Sequence, residues 1–167
     1  MAMTAIRDSV VPVENVGIRA TAGLIFTEDG RYLMQLRDGN PEITFPHFFC
    51  LFGGTVEESE DPAEGLRREL REELELEAGE VRYFTQIAFD AVFAGDMIHQ
   101  RYYFEVPVST GVVDTLTLRE GAGLELMTPE DITREMARIV PYDLAFIQLH
   151  RNLEKAWPLG RGAGEIK

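Results

Sequence analysis

The spacing of apolar positions changes period several times along this chain, and each change marks an element. Ile18 to Phe26 and Tyr32 to Leu36 are apolar-rich runs on either side of Glu28-Asp29-Gly30, the pattern of two strands joined by a hairpin-type turn. Arg37-Asp38-Gly39-Asn40-Pro41 reads as a loop, and Phe45 to Phe52 is an aromatic and apolar stretch that enters Gly53-Gly54. From Ala63 to Leu74 the period becomes helical, with Asp61 suited to the N-cap and Pro62 to the first helical position. Tyr83 to Phe93 and Ile98 to Val108 read as strands around an Ala94-Gly95-Asp96 turn, Thr110 to Gly123 as a polar loop, and Leu124 to Met127 as a short strand. Thr128-Pro129-Glu130-Asp131 has the composition of a helix N-terminus, opening a short helix over Ile132 to Ile139. Pro141 starts a second helix in which Tyr142, Phe146, Leu149, Leu153 and Trp157 recur near helical spacing. Strands interrupted by a few helices predict an α/β fold with helices packed on a mixed sheet. One domain over residues 16–158 is expected, with an N-terminal arm (1–15) and a flexible tail (159–167).

The helix over Ala63 to Leu74 carries the candidate chemistry. At about 100° per residue, Ala63, Leu66, Leu70 and Leu74 form an apolar arc. Glu64, Arg67, Arg71 and Glu75 fill the solvated side. Glu69, Glu72 and Glu73 fall between the two as an acid ridge. Like charges at this spacing repel by a few tenths of a kcal/mol each, and Arg68 and Arg71 offset part of that. A divalent cation offsets more, because Mg²⁺ takes hard oxygen ligands, a few from protein and the rest from water or phosphate.

The run from Gly54 through Glu60 to Arg68, Glu69, Leu70, Glu72, Glu73 and Leu76 resembles the signature of the Nudix hydrolases, G-x5-E-x7-R-E-U-x-E-E-x-G-U with U aliphatic. It departs once: Glu75 stands where that signature has glycine, which the chain can accommodate by one more helical residue before Gly79. The resemblance implies an α/β/α sandwich with a loop–helix–loop box and Mg²⁺ as cofactor, with Mn²⁺ as a possible substitute. It implies metal ligation by Glu69, Glu72, Glu73 and the Gly53 carbonyl, with Glu69 or Glu72 as the base that takes a proton from water. Glu60 and Arg68 are expected to pair and tie the loop to the helix. The segment from Arg119-Glu120-Gly121 resembles a later loop that in some members supplies a further metal-side carboxylate, here Glu120; a solvated loop glutamate is the alternative. Substrate contacts are expected from Arg37, Arg19 and Phe49; an exposed structural arginine is the alternative at Arg37, and core packing is the favoured alternative for Phe48 and Phe49. Asp143 is either a base-reading group or a carboxylate set against a helix dipole.

Composition narrows the picture. A chain of 167 residues with 45% apolar residues buries one proper core, and its apolar runs are too short to span a bilayer. A net charge of −13 lacks the basic footprint of a nucleic-acid binder, so an anionic substrate needs a cation bridge and local arginines. No export signal is visible and the single cysteine, Cys50, cannot form an internal disulfide, which fits a cytoplasmic, reducing compartment. Cys50 lies in an apolar run and is expected to be a buried thiol. His47, His99 and His150 lack partners at metal spacing, and Trp157 is expected to pin the last helix. The expected function is Mg²⁺-dependent hydrolysis of a pyrophosphate bond in a nucleoside diphosphate linked to a group X, nucleoside triphosphates and their oxidised forms included. The partner is then a nucleotide-type small molecule, and the family's frequent homodimers remain open here. The alternatives are a non-catalytic nucleotide-binding module and, more remotely, an isopentenyl-diphosphate isomerase. Residues 91–94, Ala-Val-Phe-Ala, carry neither of the subfamily marks for ADP-ribose or dinucleoside polyphosphates.

Overall fold

Alternating side chains build a sheet with two buried faces. The computed structural model describes residues 16–91 and 97–156; the expected arm, tail, Ala94-Gly95-Asp96 turn and Trp157 contact lie outside them. The strands are β1 (Val16–Thr27), β2 (Tyr32–Leu36), β3 (Phe49–Cys50), β4 (Arg82–Ala91), β5 (Met97–Val108) and β6 (Gly123–Met127). The helices are α1 (Pro62–Leu74), α2 (Thr110–Val113), α3 (Pro129–Arg134) and α4 (Pro141–Ala156), with a 3₁₀ turn at Met136–Arg138. The strand order is β3-β2-β1-β5-β4, with β6 added on β2. β1 and β5 run parallel and the other pairs antiparallel, so the sheet is mixed.

The period-2 alternation of strands sends neighbouring residues to opposite faces. Ala22, Leu24, Tyr32, Met34 and Tyr103 pack with Ile132, Ile139 and Ile147 on the side of α3 and α4. Ile25, Leu33, Tyr102, Phe104 and Val106 pack with Leu66, Leu70 and Leu74 of α1 on the other. Each fully buried leucine on α1 contributes roughly 1.5–3 kcal/mol. Among the described residues no helix is long and apolar enough to cross a membrane.

The helix starts follow their capping residues. The Asp61 carboxylate accepts from the Ala63 N–H at 2.9 Å, with Pro62 at the first turn. At α3, Thr128 and Asp131 form a reciprocal capping box, which satisfies two otherwise orphaned donors. The helix ends differ from expectation in two places. α1 stops at Leu74, and Glu75 adopts a left-handed conformation (φ 55°, ψ 28°) instead of adding a helical residue. The reversal sends Leu76 back into the core, where it is 4% exposed. Likewise α3 ends at Arg134, before Ile139, because Ile139 is extended and bridges in parallel to Phe49 while the Val140 N–H bonds to the Phe49 carbonyl. The expected loop after β5 also contains the four-residue α2, whose Thr110 N–H and hydroxyl donate to Glu28.

Leu70→Ala is expected to destabilise by about 2–5 kcal/mol, since Leu70 is fully buried against the sheet. Leu149→Ala, at a position 43% exposed, is expected to stay within about 0.5 kcal/mol. Urea denaturation of both variants checks the pair.

Candidate active site

The site is built where the Gly53-Gly54 turn meets the polar edge of α1. Gly53 has a positive φ of 135°, and a Cβ there would lie 2.3 Å from the Thr21 carbonyl oxygen. A Cβ on Gly54 would lie 2.6 Å from the Glu69 carboxylate. Only glycine lets backbone and carboxylate approach this closely. The Gly54 carbonyl is taken by the Thr21 N–H at 2.8 Å. No hydrogen bond among the described residues is given to the Gly53 carbonyl.

Arg68 organises the carboxylates. Its Nε and one terminal nitrogen each reach an oxygen of Glu60 at 3.1 Å, and the same terminal nitrogen donates to the Thr55 carbonyl at 2.9 Å. The other terminal nitrogen donates to Glu69 at 2.8 Å and to Glu72 at 3.3 Å. Glu60 also accepts from the Glu57 N–H at 2.9 Å, which closes the loop on itself. The Arg68 hydrogen bonds hold the Glu60 carboxyl below its usual range, and Glu60 in turn holds the guanidinium charged to still higher pH. This is the bidentate geometry that makes arginine–carboxylate pairs strong. The expected tie between loop and helix is therefore present.

Glu73 lies deepest on the ridge. It is 5% exposed and accepts the Gly53 N–H at 3.1 Å. Burial pushes its carboxyl up to about 8, with the charges of Glu120 and Glu69 adding to the shift against the Gly53 N–H. Burial also raises Glu69, opposed by Arg68 and assisted by the charges of Glu72 and Glu120. Glu72 points outward, its side chain 61% exposed. Among the described residues, no group of three or more histidine, cysteine or acidic side chains converges as a ready cation cage. Instead, Arg68 sits among Glu60, Glu69 and Glu72. The donor set nonetheless fits a hard divalent cation: clustered carboxylates with excess negative charge, beside a carbonyl left over by the glycine turn.

Glu120 arrives from the segment between α2 and β6. Glu120 is exposed; the Arg119 N–H beside it donates to the Glu73 carbonyl at 2.8 Å, and the Glu120 charge acts on both Glu69 and Glu73. Its backbone carbonyl accepts from the Gln35 side chain at 3.1 Å.

The expected substrate residues divide between the faces. Arg19 lies over the Tyr102 ring at 5.8 Å, on the α1 side, close enough for its charge to act on Glu60. Arg37 follows β2 on the other side, where its charge acts on Cys50 and Tyr142 and its buried Nε has no hydrogen-bond partner among the described residues. Phe49 does not face the site. It is 7% exposed in the core, with Arg138 over its ring at 5.3 Å, because its backbone is paired to both Leu36 and Ile139. Phe48 is half-buried beside Phe45, which in turn meets Tyr142.

Asp143 sits in the first turn of α4 and is fully buried. It accepts from the Leu51 N–H at 3.0 Å and the Tyr103 hydroxyl at 3.1 Å, with the Arg101 Nε 3.3 Å away. Both its oxygens are engaged, so it holds β3, β5 and α4 together and is not free to read a base. Arg101 escaped the sequence reading. It shares the α4-facing positions of β5 with Tyr103 and Glu105 and lies over the Tyr103 and Tyr142 rings. The strand alternation held the signal that would have found it. Cys50 is buried, with its thiol pushed up to about 12 by burial. His150 is fully buried, 2.6 Å from the Tyr32 hydroxyl and 3.2 Å from Glu105. His47 is exposed on the loop after β2, and His99 packs near Phe89.

A mixed sheet between helices, with a glycine turn feeding a carboxylate-bearing helix, defines a pyrophosphohydrolase-type site. A family model, the NUDIX domain, matches residues 17–149, and the chain belongs to that family as a Nudix pyrophosphohydrolase. Solved structures agree in fold. A MutT protein from Methanosarcina mazei Go1 is 23% identical with a TM-score of 0.70, covering 86% of this chain and 99% of that one. The E. coli ORF135 protein is 26% identical with a TM-score of 0.69, covering 89% and 99%. The NUDIX domain of Shewanella oneidensis NrtR, complexed with ADP ribose, is 13% identical with a TM-score of 0.68, covering 91% and 98%. No curated protein matches the sequence.

Two outcomes follow, the first for the metal-free protein. Glu73 has a carboxyl raised from 4.5 to about 8, so its neutral form stabilises the fold. That contribution is complete below about 4.5 and is lost as pH rises through about 8. Glu73→Gln is expected to remove this part of the decline in Tm across that window, read by calorimetry in chelator. Gly54→Ala displaces only the flexible end of Glu69, so its Tm should change little while Mn²⁺ binding weakens, read by electron paramagnetic resonance.

Proposed function

We propose that this protein hydrolyses a pyrophosphate bond in a nucleoside diphosphate linked to a group X, with Mg²⁺ or Mn²⁺ held by Glu69, Glu72, Glu73 and the Gly53 carbonyl. The observation that carries this reading is the buried Glu73 carboxylate, 3.1 Å from the Gly53 N–H and under the like charges of Glu69 and Glu120. A buried anion crowded by anions is costly unless a cation joins it. When bound, such a cation neutralises phosphate charge and acidifies a coordinated water.

The chain's own residues do the rest. Glu69 is largely buried and hydrogen-bonded to Arg68, whereas Glu72 and Glu120 reach solvent. Any of the three can take the proton of a water attacking phosphorus, and the exposed pair can release it to bulk. Arg68 and Glu60 keep the ridge in register with the glycine turn. Arg37 and Arg19 are the side chains assigned to meet substrate charge in this reading, which a chain of net charge −13 needs. A nucleoside triphosphate, oxidised or not, is the preferred class, supported by the resemblance of the Arg119-Glu120-Gly121 segment to the later loop of triphosphate-cleaving members and by the Glu120 charge acting on Glu69 and Glu73. The ADP ribose in the NrtR complex is a nucleoside diphosphate of the same general type. A non-catalytic binding module is disfavoured by the intact set of Glu60, Glu69, Glu72 and Glu73.

The test is a phosphate-release screen with Mg²⁺ or Mn²⁺ over nucleoside triphosphates, oxidised dGTP, ADP-ribose, sugar nucleotides and dinucleoside polyphosphates. Metal-dependent turnover of one class is expected. Glu73→Gln should fold and lose at least about a hundredfold in rate, and Glu120→Gln should lose about tenfold or more. Nucleotide binding without turnover in any class would overturn the hydrolase reading in favour of a binding module.

A further inference from the structure

The single departure from the Nudix signature is Glu75, and the fold gives it a partner. Glu75 follows the last residue of α1 with a positive φ of 55°, a conformation that glycine adopts without steric cost and glutamate does not. Its side chain nevertheless reaches Arg119. The Arg119 Nε donates to Glu75 Oε1 at 2.8 Å, and a terminal nitrogen donates to the same oxygen. Backbone bonds run beside this pair. The Thr117 N–H donates to the Leu74 carbonyl at 3.1 Å, and the Arg119 N–H donates to the Glu73 carbonyl at 2.8 Å. The other end of the same segment is fixed to β2. The Ala122 N–H donates to the Leu36 carbonyl at 2.8 Å, and the Gln35 side chain donates to the Glu120 carbonyl. Gly121, at φ 91°, makes the turn between the two anchors, and a Cβ on it would lie 2.9 Å from the Leu36 carbonyl oxygen.

Glu120 therefore sits on a bridge of a few residues between the end of the metal-side helix and the end of β2. We propose that the Glu75–Arg119 ion pair is a latch that positions the Glu120 carboxylate on the ridge, in a role the signature glycine cannot fill. This inference rests on the reading of Glu120 given above. The pair is exposed, Arg119 to 59% and Glu75 to 49%. Exposed pairs contribute little to global stability. Its effect is local: it fixes which way the residue after Arg119 points. Glu75 and Arg119 act here as positioning residues.

The test separates position from stability. Glu75→Gly restores the residue that suits the backbone, so Tm is expected to hold or rise. Turnover with Mg²⁺ is nonetheless expected to fall about tenfold, because small misplacements of a reacting group are costly. Arg119→Ala should behave likewise. In both variants Mn²⁺ binding, read by electron paramagnetic resonance, should weaken, and amide exchange of residues 117–122 should quicken. Glu120→Gln added to Glu75→Gly should cost almost nothing more. The exchanged pair Glu75→Arg with Arg119→Glu should recover most of the activity. Wild-type turnover and Mn²⁺ binding in Glu75→Gly and Arg119→Ala, with Glu120→Gln impaired, would overturn the latch alone. Wild-type behaviour of Glu120→Gln would overturn the reading beneath it, and the latch with it.

Discussion

One guanidinium holds the site together. Arg68 binds both oxygens of Glu60, the Thr55 carbonyl and Glu69. Without a cation among them, the acids of the loop and the helix would spread apart. With it, the loop from Gly53 to Glu60 is fixed to α1 at one height, and the glycine turn faces the ridge. Gly65 serves the same contact, since a Cβ there would press on the Glu60 carboxylate at 3.0 Å. The pair is only partly exposed, with Arg68 at 23% and Glu60 at 17%, so solvent screens it less than an ordinary surface bridge.

A second polar hub does the corresponding work on the other side of the sheet. Asp143 gathers the Leu51 N–H, the Tyr103 hydroxyl and Arg101 into a buried cluster. Such a cluster costs desolvation, and in return it specifies how α4 sits on β3 and β5. Leu51 leads within two residues to Gly53, so the placement of α4 and of the glycine turn are coupled. The site thus lies where two rigid arrangements meet, one organised by an arginine and the other by an aspartate.

Much of this was legible in the residues. The N-cap at Asp61 and the apolar arc of Leu66, Leu70 and Leu74 come from local spacing, which sequence displays, and the pairing of Glu60 with Arg68 came with the resemblance to the Nudix signature. The ends of elements were less so. Ile139 left its expected helix because a partner far away in sequence, Phe49, offered an extended bridge. Glu75 took a left-handed turn because Leu76 had to return to the core. Phe49 was open to a substrate role, with core packing favoured by its apolar run, and its two-sided pairing agrees with the core. Arg101 and Asp143 illustrate the same limit: each is ordinary in its own segment, and their meaning comes from the contact between β5 and α4. Glu120 could be picked out in the sequence, but the bonds that anchor its segment run to the Glu73 and Leu36 carbonyls and from the Gln35 side chain to its own carbonyl, and no pattern local to the segment reports them.

The proposed divalent cation would enter the space that Arg68 now shares with the ridge. Crystals grown with Mn²⁺ and examined for anomalous scattering test it directly. The expected result is a peak within coordination distance of Glu69, Glu73 and the Gly53 carbonyl, with Glu72 turned inward toward it. A peak elsewhere, or none at saturating Mn²⁺ with Arg68 still between Glu69 and Glu72, would contradict the account.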